Sequence, residues 1–412
     1  MSDILTIDSL GARGEGIASG PAGPIFVPYT LPGETIAAET AGDRGYAGDI
    51  LSPSPERIAP FCRHFTQCGG CATQHMAPAL YAAWKRGLLV TALQRLGPEV
   101  ETAPLVDAHG AGRRRVTLHV RYAGTGRAMR AQAGFMRARS HTLIDLDACP
   151  ILVPALKPAP ALARAIGQVL KGRAKPLDVQ VTATLTGLDV DIRGSGQPSE
   201  AERLALGALV GEHDLARLSV HGALVLAART PIIAMGKAGV VPPPASFLQA
   251  TEAGEARLGA LVSAAMAGAK RSADLFCGMG PFALRLAEKS AVAAFDSAGP
   301  AIAALKTAAA RTQGLKPIAA TERDLFRRPL TATELNAFDA LVFDPPRAGA
   351  EAQARQIAAS RVARVVAVSC DPGTFVRDAR VLIAGGYRLE RVTPVDQFRH
   401  SAHLELVAVF SR

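Results

Sequence analysis

Apolar and polar residues change their spacing at about residue 245. Beyond this point, short apolar runs at residues 272–276, 291–295, 340–343 and 364–369 alternate with longer segments of helical periodicity. Short buried strands separated by helices are typical of a parallel sheet that carries helices on both faces. The pattern therefore predicts a Rossmann-like, doubly wound α/β sheet in the C-terminal part of the chain.

The rest of the chain shows a different pattern. Over residues 1–55, short strand-like runs are separated by turns rich in Gly and Pro, which is typical of a small β-barrel of the oligonucleotide-binding type. Residues 56–240 mix a helical segment at 78–96 with further strand-like runs and predict an α+β domain. We therefore predict three domains, at residues 1–55, 56–240 and 241–412.

The charge of the chain favours an anionic partner. Lys and Arg number 46 against 36 Asp and Glu, and the net charge of +10 favours a nucleic acid, with a merely basic protein as the alternative. No apolar run reaches the ~18–20 residues that a bilayer span requires, and no basic segment precedes an apolar one at the N-terminus. We expect a cytoplasmic protein without a membrane partner, and no feature indicates an obligate protein partner.

A glycine turn follows the first predicted strand of the sheet. In DLFCGMGPF, Gly278 and Gly280 allow the backbone to approach a ligand closely at the carboxyl edge of the sheet. Asp296 ends the next strand about 20 residues on, where a carboxylate suits a ribose diol. Ala283 stands where a dinucleotide motif has its third glycine. An adenosine ligand is therefore favoured over a dinucleotide, and a purely structural tight turn is the alternative.

Three further residues are candidates for the chemistry, and the first two of them, Asp344 and Cys370, are predicted at the same edge. Asp344 ends a buried strand before two prolines, Cys370 follows the apolar run 365–368, and Glu405 opens an apolar C-terminal strand. A carboxylate fixed there is a usual ligand contact, a thiol near a helix start can have a lowered pKa and act as a nucleophile, and a half-buried carboxylate can be a general base. The alternatives are a helix cap, an inert buried cysteine and an exposed edge carboxylate.

Together these segments resemble the RNA uracil-5-methyltransferase family over nearly the whole chain. DLFCGMGPF is similar to the family's S-adenosylmethionine loop, DPPRAG to its acidic loop, SCDPGTFVRD to its nucleophile motif and DQFRHSAHLE to its general-base motif. GARGEGIA and IFVPYTLPGE resemble the RNA-binding TRAM barrel. The resemblance implies that Cys370 attacks C6 of a flipped uracil and that Glu405 removes the C5 proton. It also implies these cofactor-binding residues: Gln249, Phe276, Gly278, Gly280, Asp296, Asp324 and Asp344.

The chain departs from the family at several site positions. Asp296 stands in place of the usual Glu and Pro281 in place of Asn or Gly. Gln397 and Arg399 replace the more common Met and Pro. These departures bear on cofactor contacts and substrate choice more than on the chemistry.

Four of the six cysteines form a candidate metal site. Cys62, Cys68 and Cys71 have the spacing C-x5-C-x2-C, and Cys149 precedes a proline. Such a set suits a [4Fe–4S] cluster or a tetrahedral zinc ion, and spacing alone does not choose between them. The iron–sulfur branch of the family has a similar cysteine pattern, which makes the cluster the expectation.

The resemblance also implies an RNA substrate. The barrel and the cysteine set resemble enzymes of 23S rRNA more than those of transfer RNA. Arginines at residues 113–115 and 121–139 are expected to contact phosphates, with solvated surface charges as the alternative. The alternative functions are a tRNA uracil-5-methyltransferase, a non-catalytic RNA-binding or ribosome-assembly factor, and a DNA cytosine-C5 methyltransferase.

Overall fold

The computed structural model describes residues 3–97 and 100–412. The chain divides into two compact units. The first comprises Met1–Thr91, Phe135–Ile144 and Phe398–His403, and the second comprises Ala92–Gly134, Asp145–Gln397 and Leu404–Arg412. The division into three domains at residues 55 and 240 stays a prediction.

A closed five-stranded barrel begins the first unit, in the strand order β1-β2-β3-β5-β4. Its strands are β1 (Asp3–Leu10), β2 (Gly16–Gly20), β3 (Gly23–Val27), β4 (Thr35–Ala41) and β5 (Arg44–Ser52). Apolar side chains spaced two residues apart fill the barrel, as strand geometry requires: Leu5, Ile7, Ala18, Ile25, Val27, Ile36 and Ala38. The predicted N-terminal β-barrel is confirmed.

Helix α1 (Pro78–Leu93) follows the cysteine-containing segment. It begins at a proline, whose fixed φ suits the first turn of a helix. Tyr81 and Trp84 of this helix are buried in a second apolar cluster of the first unit. The Trp84 indole N–H donates to the carbonyl of Gly11 at 2.9 Å, so the only tryptophan of the chain reports on this unit.

A buried ion pair lies beside the barrel in the first unit. The Glu34 carboxylate is fully buried and accepts two bonds from the Arg57 guanidinium, at 2.5 and 2.8 Å. The amides of Leu31 and Ser54 donate to it at 2.8 and 3.3 Å. Burial alone would raise the pKa of Glu34, but these bonds outweigh burial and hold the pKa below its usual value.

The region between the barrel and residue 240 contains helices and a largely antiparallel sheet, as predicted. Its elements are β6 (Val106–Asp107), β7 (Arg115–Ala123), β8 (Arg130–Met136), β9 (Leu143–Asp145), α2 (Ala159–Val169), β10 (Leu177–Thr184), β11 (Gly187–Arg193), α3 (Glu200–Glu212), β12 (Leu215–Val220), β13 (Ala223–Ala227), β14 (Ile233–Met235) and β15 (Ala238–Val240). Seven strands form a sheet in the order β13-β12-β11-β10-β7-β8-β9, and β14 and β15 form a separate hairpin.

An eight-stranded sheet dominates the C-terminal part of the second unit. The elements are α4 (Glu252–Ala265), β16 (Arg271–Leu275), α5 (Pro281–Leu286), β17 (Ala291–Asp296), α6 (Gly299–Arg311), β18 (Ile318–Glu322), α7 (Ala332–Leu335), β19 (Ala340–Phe343), α8 (Glu351–Ala359), β20 (Arg364–Ser369), α9 (Pro372–Ala384), β21 (Arg388–Asp396) and β22 (Glu405–Ser411). The seven strands of this list and β6 form one sheet, in which the strand order is β18-β17-β16-β19-β20-β22-β21-β6. Strands β16 to β20 are parallel, which confirms the predicted doubly wound sheet.

Strand β22 runs antiparallel to both of its neighbours, β20 and β21. The hydrophobic pattern does not predict this direction. The connection over residues 397–404 is long enough for a hairpin but too short for the crossover that a parallel neighbour needs. The first residue of β22 therefore lies at the same edge of the sheet as the carboxyl end of β20.

In the part of the chain that the structure describes, no helix combines the length and the apolar character needed to cross a bilayer.

Candidate active site

The carboxyl ends of the parallel strands lie along one edge of the eight-stranded sheet. From β16 the strand order runs one way to β17 and β18 and the other way to β19 and β20. At such a reversal the loops after neighbouring strands separate and leave a crevice, which is the usual ligand position in open α/β sheets. The candidate residues that follow these strands therefore share this edge.

Three residues with positive φ shape the loop after β16. Phe276, Gly278 and Gly280 have φ angles of 63°, 53° and 84°. A positive φ is costly for phenylalanine, and strained residues of this kind cluster at ligand sites. A side chain at Gly280 would clash with Leu305, whereas the space around Gly278 is open. The backbone at Gly278 is therefore accessible to a ligand.

Asp296 connects this loop to the end of β17. Its Oδ2 accepts the Gly278 N–H and its Oδ1 accepts the Ala298 N–H, both at 2.8 Å. Each oxygen has a second lone pair that can accept a hydroxyl donor. The carboxylate is oriented by two backbone amides and only partly buried, which suits contact with a diol.

Asp274, inside β16, is a site residue that the sequence reasoning missed. It is fully buried, and its Oδ2 accepts the Ala283 N–H at 2.8 Å. Its Oδ1 has no hydrogen-bond partner among the described residues. Burial first, and then the nearby Asp344 and Asp296, raise the pKa of Asp274 well above its usual value. The signal was available as an acidic residue within an otherwise buried strand, which is costly unless it has a function.

Cys370 and Glu405 lie close to each other at this edge. Ser369, the last residue of β20, pairs with Leu406 of β22 in antiparallel register, so Cys370 directly follows this pair on one strand and Glu405 directly precedes it on the other. The negative charge of Glu405 raises the pKa of the Cys370 thiol, so the two side chains are close enough to interact electrostatically. The structure therefore brings the predicted thiol and carboxylate together.

The expected lowering of the Cys370 pKa is wrong. Burial, and then the negative charges of Glu405 and Asp344, raise the pKa of the Cys370 thiol to about 11. The cationic Arg347 opposes this rise but does not outweigh it. The sequence places Cys370 just before a helix, which lowers a thiol pKa, but two carboxylates from other strands have the larger effect.

Glu405 is not an exposed edge carboxylate, since its side chain is only 4% exposed. Burial, and then the charge of Asp344, raise its pKa to about 8, against hydrogen bonding from Gln397 and the charge of Arg347. Burial also raises the pKa of Asp344 to about 7. Two neighbouring carboxyl groups that ionise near neutral pH can exchange protons with a bound ligand.

Gln249 lies next to this group, in the loop before α4. It is buried, and its Oε1 accepts a hydrogen bond from Gln397 Nε2 at 2.5 Å. Its main-chain carbonyl accepts from Arg114 Nε at 3.1 Å. Hydrogen bonds to both its side chain and its backbone therefore fix the position of Gln249.

Asp324 follows β18, and its carboxylate binds its own loop. Its Oδ1 accepts the N–H groups of Phe326 and Arg327 at 2.9 and 3.2 Å. The Phe326 ring is 49% exposed and lies 5.3 Å from the Phe276 ring, measured between centroids. This aromatic pair brings the loop after β18 against the loop after β16.

The arginines predicted to contact phosphates at residues 113–115 are engaged within the protein more than the sequence predicts. Arg114 is buried, and its guanidinium binds Glu255 at 2.6 Å, so its expected contact with phosphate is wrong. Arg115 donates to the Ser246 carbonyl at 2.6 Å and lies 5.9 Å from the centroid of the Phe247 ring. Phe247 is 70% exposed, and the sequence reasoning assigned it no role although it lies two residues before Gln249.

The described parts of the chain do not show the predicted metal site, which stays a prediction. There, no three His, Cys, Asp or Glu side chains are grouped so that they could hold a metal ion. Cys62, Cys68 and Cys71 lie in the first unit and Cys149 in the second. Burial raises the pKa of the Cys68 thiol, although its sulfur accepts the Gly70 N–H at 3.4 Å.

Comparison with protein families gives one matching model. Residues 245–412 match the family described as tRNA (uracil-5-)-methyltransferase. The matched residues contain all of the sheet-edge residues described above.

Curated relatives match almost the entire chain. RNA methyltransferases described as uncharacterized, from Caulobacter vibrioides and Brucella melitensis, are 48% and 47% identical, and each match covers 99% of this chain and 99% and 97% of the relative. The 23S rRNA (uracil(1939)-C(5))-methyltransferase of Halomonas elongata is 33% identical over 97% of this chain and 88% of its own length.

A solved structure that matches the fold over the full length is that of an archaeal RNA methyltransferase. The tRNA (uracil-54, C5)-methyltransferase of Pyrococcus abyssi, in complex with S-adenosyl-L-homocysteine, has a TM-score of 0.76 at 22% identity and covers 99% of both chains. At this identity the match establishes the similarity of the fold.

Proposed function

The chain belongs to the RNA (uracil-5-)-methyltransferase family, and on this basis we propose that it methylates C5 of a uracil in structured RNA with S-adenosylmethionine as the methyl donor. The observation that carries the proposal is the proximity of Cys370 and Glu405, which lie where β20 ends and β22 begins and interact electrostatically. A nucleophile and a base that act on adjacent ring carbons must lie on one face of the ring's pocket.

The proposed reaction begins with the sulfur of Cys370. Its thiolate forms a bond to C6 of uracil, and the electrons of the C5–C6 double bond move to give an enolate with a nucleophilic C5. S-adenosylmethionine would supply a methyl group on a sulfonium: the C5–CH3 bond would form as the S–CH3 bond breaks, and S-adenosylhomocysteine would leave. Glu405 then accepts the proton from C5, and loss of the Cys370 thiolate from C6 restores the double bond.

The protonation states of the site set the order of proton transfers. Because the pKa of Cys370 is raised to about 11, the neutral thiol is the resting form. Burial raises the pKa values of both Asp344 and Glu405 towards neutrality, and we assign Asp344 as the acceptor for the thiol proton. Glu405 then remains for the C5 proton. Methylation should increase with pH as Glu405 ionises.

The loop after β16 fits an adenosine-containing donor. The open backbone at Gly278, the Gly280 turn and the strained Phe276 form a surface that a ligand can approach closely. We assign Asp296 to the ribose hydroxyls and Asp324 to the adenine of the donor. Gln249 is assigned to the methionine part of the donor, and Asp344 to the boundary between the donor and the uracil. A cationic sulfonium beside Asp344 would favour the ionised carboxylate.

Two observations support an RNA substrate and its class: the name of a relative, and the barrel and net charge of this chain. The Halomonas relative is named for 23S rRNA, which favours a ribosomal substrate over a transfer RNA. The closed barrel supports RNA binding by a TRAM-like domain, and the net charge of +10 supports an RNA partner. A non-catalytic RNA-binding factor would not need a thiol and a carboxylate close together at the sheet edge.

Transfer of a labelled methyl group tests the function. The protein and labelled S-adenosylmethionine are incubated with RNA from cells that lack this protein, and the product is digested and analysed for 5-methyluridine. We expect label in large-subunit ribosomal RNA and its loss after RNase treatment. Cys370→Ala should bind S-adenosylmethionine normally but transfer no label. Label in transfer RNA would contradict the substrate class, and normal turnover by Cys370→Ala would contradict the nucleophile.

The [4Fe–4S] cluster is a separate proposal, supported by the cysteine spacing, and no step of the reaction passes through it. Protein purified without oxygen should contain about four iron atoms per chain and absorb visible light. Cys62→Ser should lose the iron, whereas Cys277→Ser, outside the cysteine set, should keep it. One zinc ion per chain would contradict the cluster.

A further inference from the structure

Gln397 lies at the centre of a buried hydrogen-bond network that the proposed reaction does not use. It is 1% exposed and follows β21 directly. Its Nε2 donates to Gln249 Oε1 at 2.5 Å and to Glu405 Oε1 at 3.3 Å. Its Oε1 accepts the Ala250 N–H at 2.8 Å. One carboxamide thus joins the loop before α4 to the first residue of β22.

The orientation of this carboxamide is determined by its partners. The Ala250 N–H can only donate, so the oxygen of Gln397 must face it. The two N–H bonds of Gln397 must then face the two acceptors, Gln249 and Glu405. Gln249 presents its own oxygen to Gln397, which turns its amide nitrogen away from Gln397.

We propose that Gln397 is a positioning residue that couples the donor-binding Gln249 to the proton-accepting Glu405. The inference rests on the proposed function, because it gives these two residues their roles. Through one hydrogen bond Gln397 orients the side chain of Gln249 for the methyl donor. Through the other it stabilises the ionised form of Glu405, in which the carboxylate can take the C5 proton.

The electrostatic consequence has a definite sign. Burial and Asp344 raise the pKa of Glu405, and the hydrogen bond from Gln397 acts in the opposite direction. Hydrogen bonding to the charged form of a carboxyl group favours that form. Without the donor, Glu405 would require a higher pH to ionise, and the base would be less available at neutral pH.

A merely structural role is the alternative, because the side chain also fills space. A Cβ at Gly254 would collide with Gln397, which indicates close packing. Gln397→Met keeps the length and volume of the side chain but removes both the donor and the acceptor. Gln397→Glu keeps the shape and the acceptor for Ala250 but places a negative charge beside Glu405.

Gln353 offers a matched control in the same unit. It is also 1% exposed, and its carboxamide bonds in both directions with the backbone of Leu330, at 2.8 and 3.1 Å. Neither bond involves a residue that we assign to the reaction. Gln353→Met therefore removes a side-chain amide that is as buried as that of Gln397, and it leaves the residues assigned to the reaction unchanged.

Methylation rates between pH 6 and 9.5 at saturating RNA test the coupling. In Gln397→Met we expect the rise of the rate with pH to move about one pH unit higher, which makes the rate about tenfold lower than wild type at pH 7 and about half of wild type at pH 9. The KM for S-adenosylmethionine should rise several-fold. Gln397→Glu should show a larger shift in the same direction. Gln353→Met should unfold at lower urea concentration but keep the wild-type pH profile and KM.

A second measurement does not depend on activity. Urea unfolding from pH 5 to 8.5 is compared for Gln397→Met with and without Glu405→Gln. We expect the destabilisation by Gln397→Met to grow with pH only where Glu405 is present. Unchanged pH profiles in both Gln397 variants, or a destabilisation that is independent of pH and of Glu405, would overturn the inference. Absence of methylation by the wild type would instead refute the proposed function, while the unfolding series still decides the coupling.

Discussion

Replacement of Glu405 by Gln should stabilise the protein at alkaline pH while it stops turnover. The Glu405 side chain is 4% exposed, and its pKa is raised from the usual 4.5 to about 8 by burial and by Asp344. Glutamine has nearly the same shape, keeps an oxygen that can accept from Gln397, and has no proton to lose. The variant therefore removes the ionisation and little else.

The size of the effect follows from the linkage between proton binding and folding. A carboxyl group with a raised pKa binds its proton more tightly in the folded chain than in the unfolded one. The wild type is therefore most stable below pH 4.5 with respect to this group, and it loses stability as the pH rises towards 8. At about 1.36 kcal/mol for each pKa unit, the full loss is roughly 5 kcal/mol near pH 8 and above.

Urea unfolding followed by circular dichroism measures this difference. Both proteins are compared at constant ionic strength from pH 5 to 8.5. We expect similar free energies of unfolding at pH 5 and an advantage of several kcal/mol for Glu405→Gln at pH 8.5. Glu334→Gln is the control of opposite sign, because Arg323 lowers the pKa of Glu334 to about 2 and its ionised form is stabilised. Parallel curves for wild type and Glu405→Gln would refute the raised pKa and, with it, the account of the base.

Asp344→Asn removes a negative charge that raises the Cys370 pKa, so alkylation of Cys370 at pH 8, measured by mass spectrometry, should become faster; an unchanged rate would contradict the role of Asp344. Arg57→Ala leaves the fully buried Glu34 charge without its guanidinium and should cost about 3 kcal/mol or more, measured by unfolding with tryptophan fluorescence. Gly280→Ala combines a φ of 84° with a steric clash and should weaken S-adenosylmethionine binding at least tenfold in calorimetry.

Matched variants separate these effects from general damage. Arg44→Ala removes an arginine whose side chain is 37% exposed and should cost much less than Arg57→Ala. Gly314→Ala has a similar φ of 77° with open space around it, and should leave S-adenosylmethionine binding unchanged. Equal losses in variant and control would contradict the structural reason given for either prediction.

Local sequence patterns were sufficient for the barrel and the order of strands and helices in the sheet. Alternating apolar positions and Gly-Pro turns identify a small barrel, and short apolar runs between helical segments identify parallel strands. The same patterns bring the ends of β16, β17, β19 and β20 to one edge, because parallel strands with right-handed crossovers end on the same side. Gly278, Asp296, Asp344 and Cys370 were therefore predictable as neighbours of one crevice.

The electrostatic character of the site was not predictable in this way. The sequence around Cys370 indicates a lowered pKa, since a helix follows it, whereas burial with Glu405 and Asp344 raises the pKa to about 11. The run of arginines around Arg114 predicts a surface charge, but Arg114 is in the interior, where its guanidinium donates to the Glu255 carboxylate at 2.6 Å. In both cases the decisive partner is remote in the chain, and no local pattern contains it.

The sequence by itself thus determined the kinds of secondary structure, the sheet edge and the residue types available for chemistry, because these depend on local periodicity and turn residues. The tertiary structure alone decided that β22 lies between β20 and β21, which brings Glu405 close to Cys370. It also decided that Gln397 bridges Glu405 and Gln249. Burial, charge and hydrogen bonding are sums over neighbours in space, and those neighbours come from segments far apart in the chain.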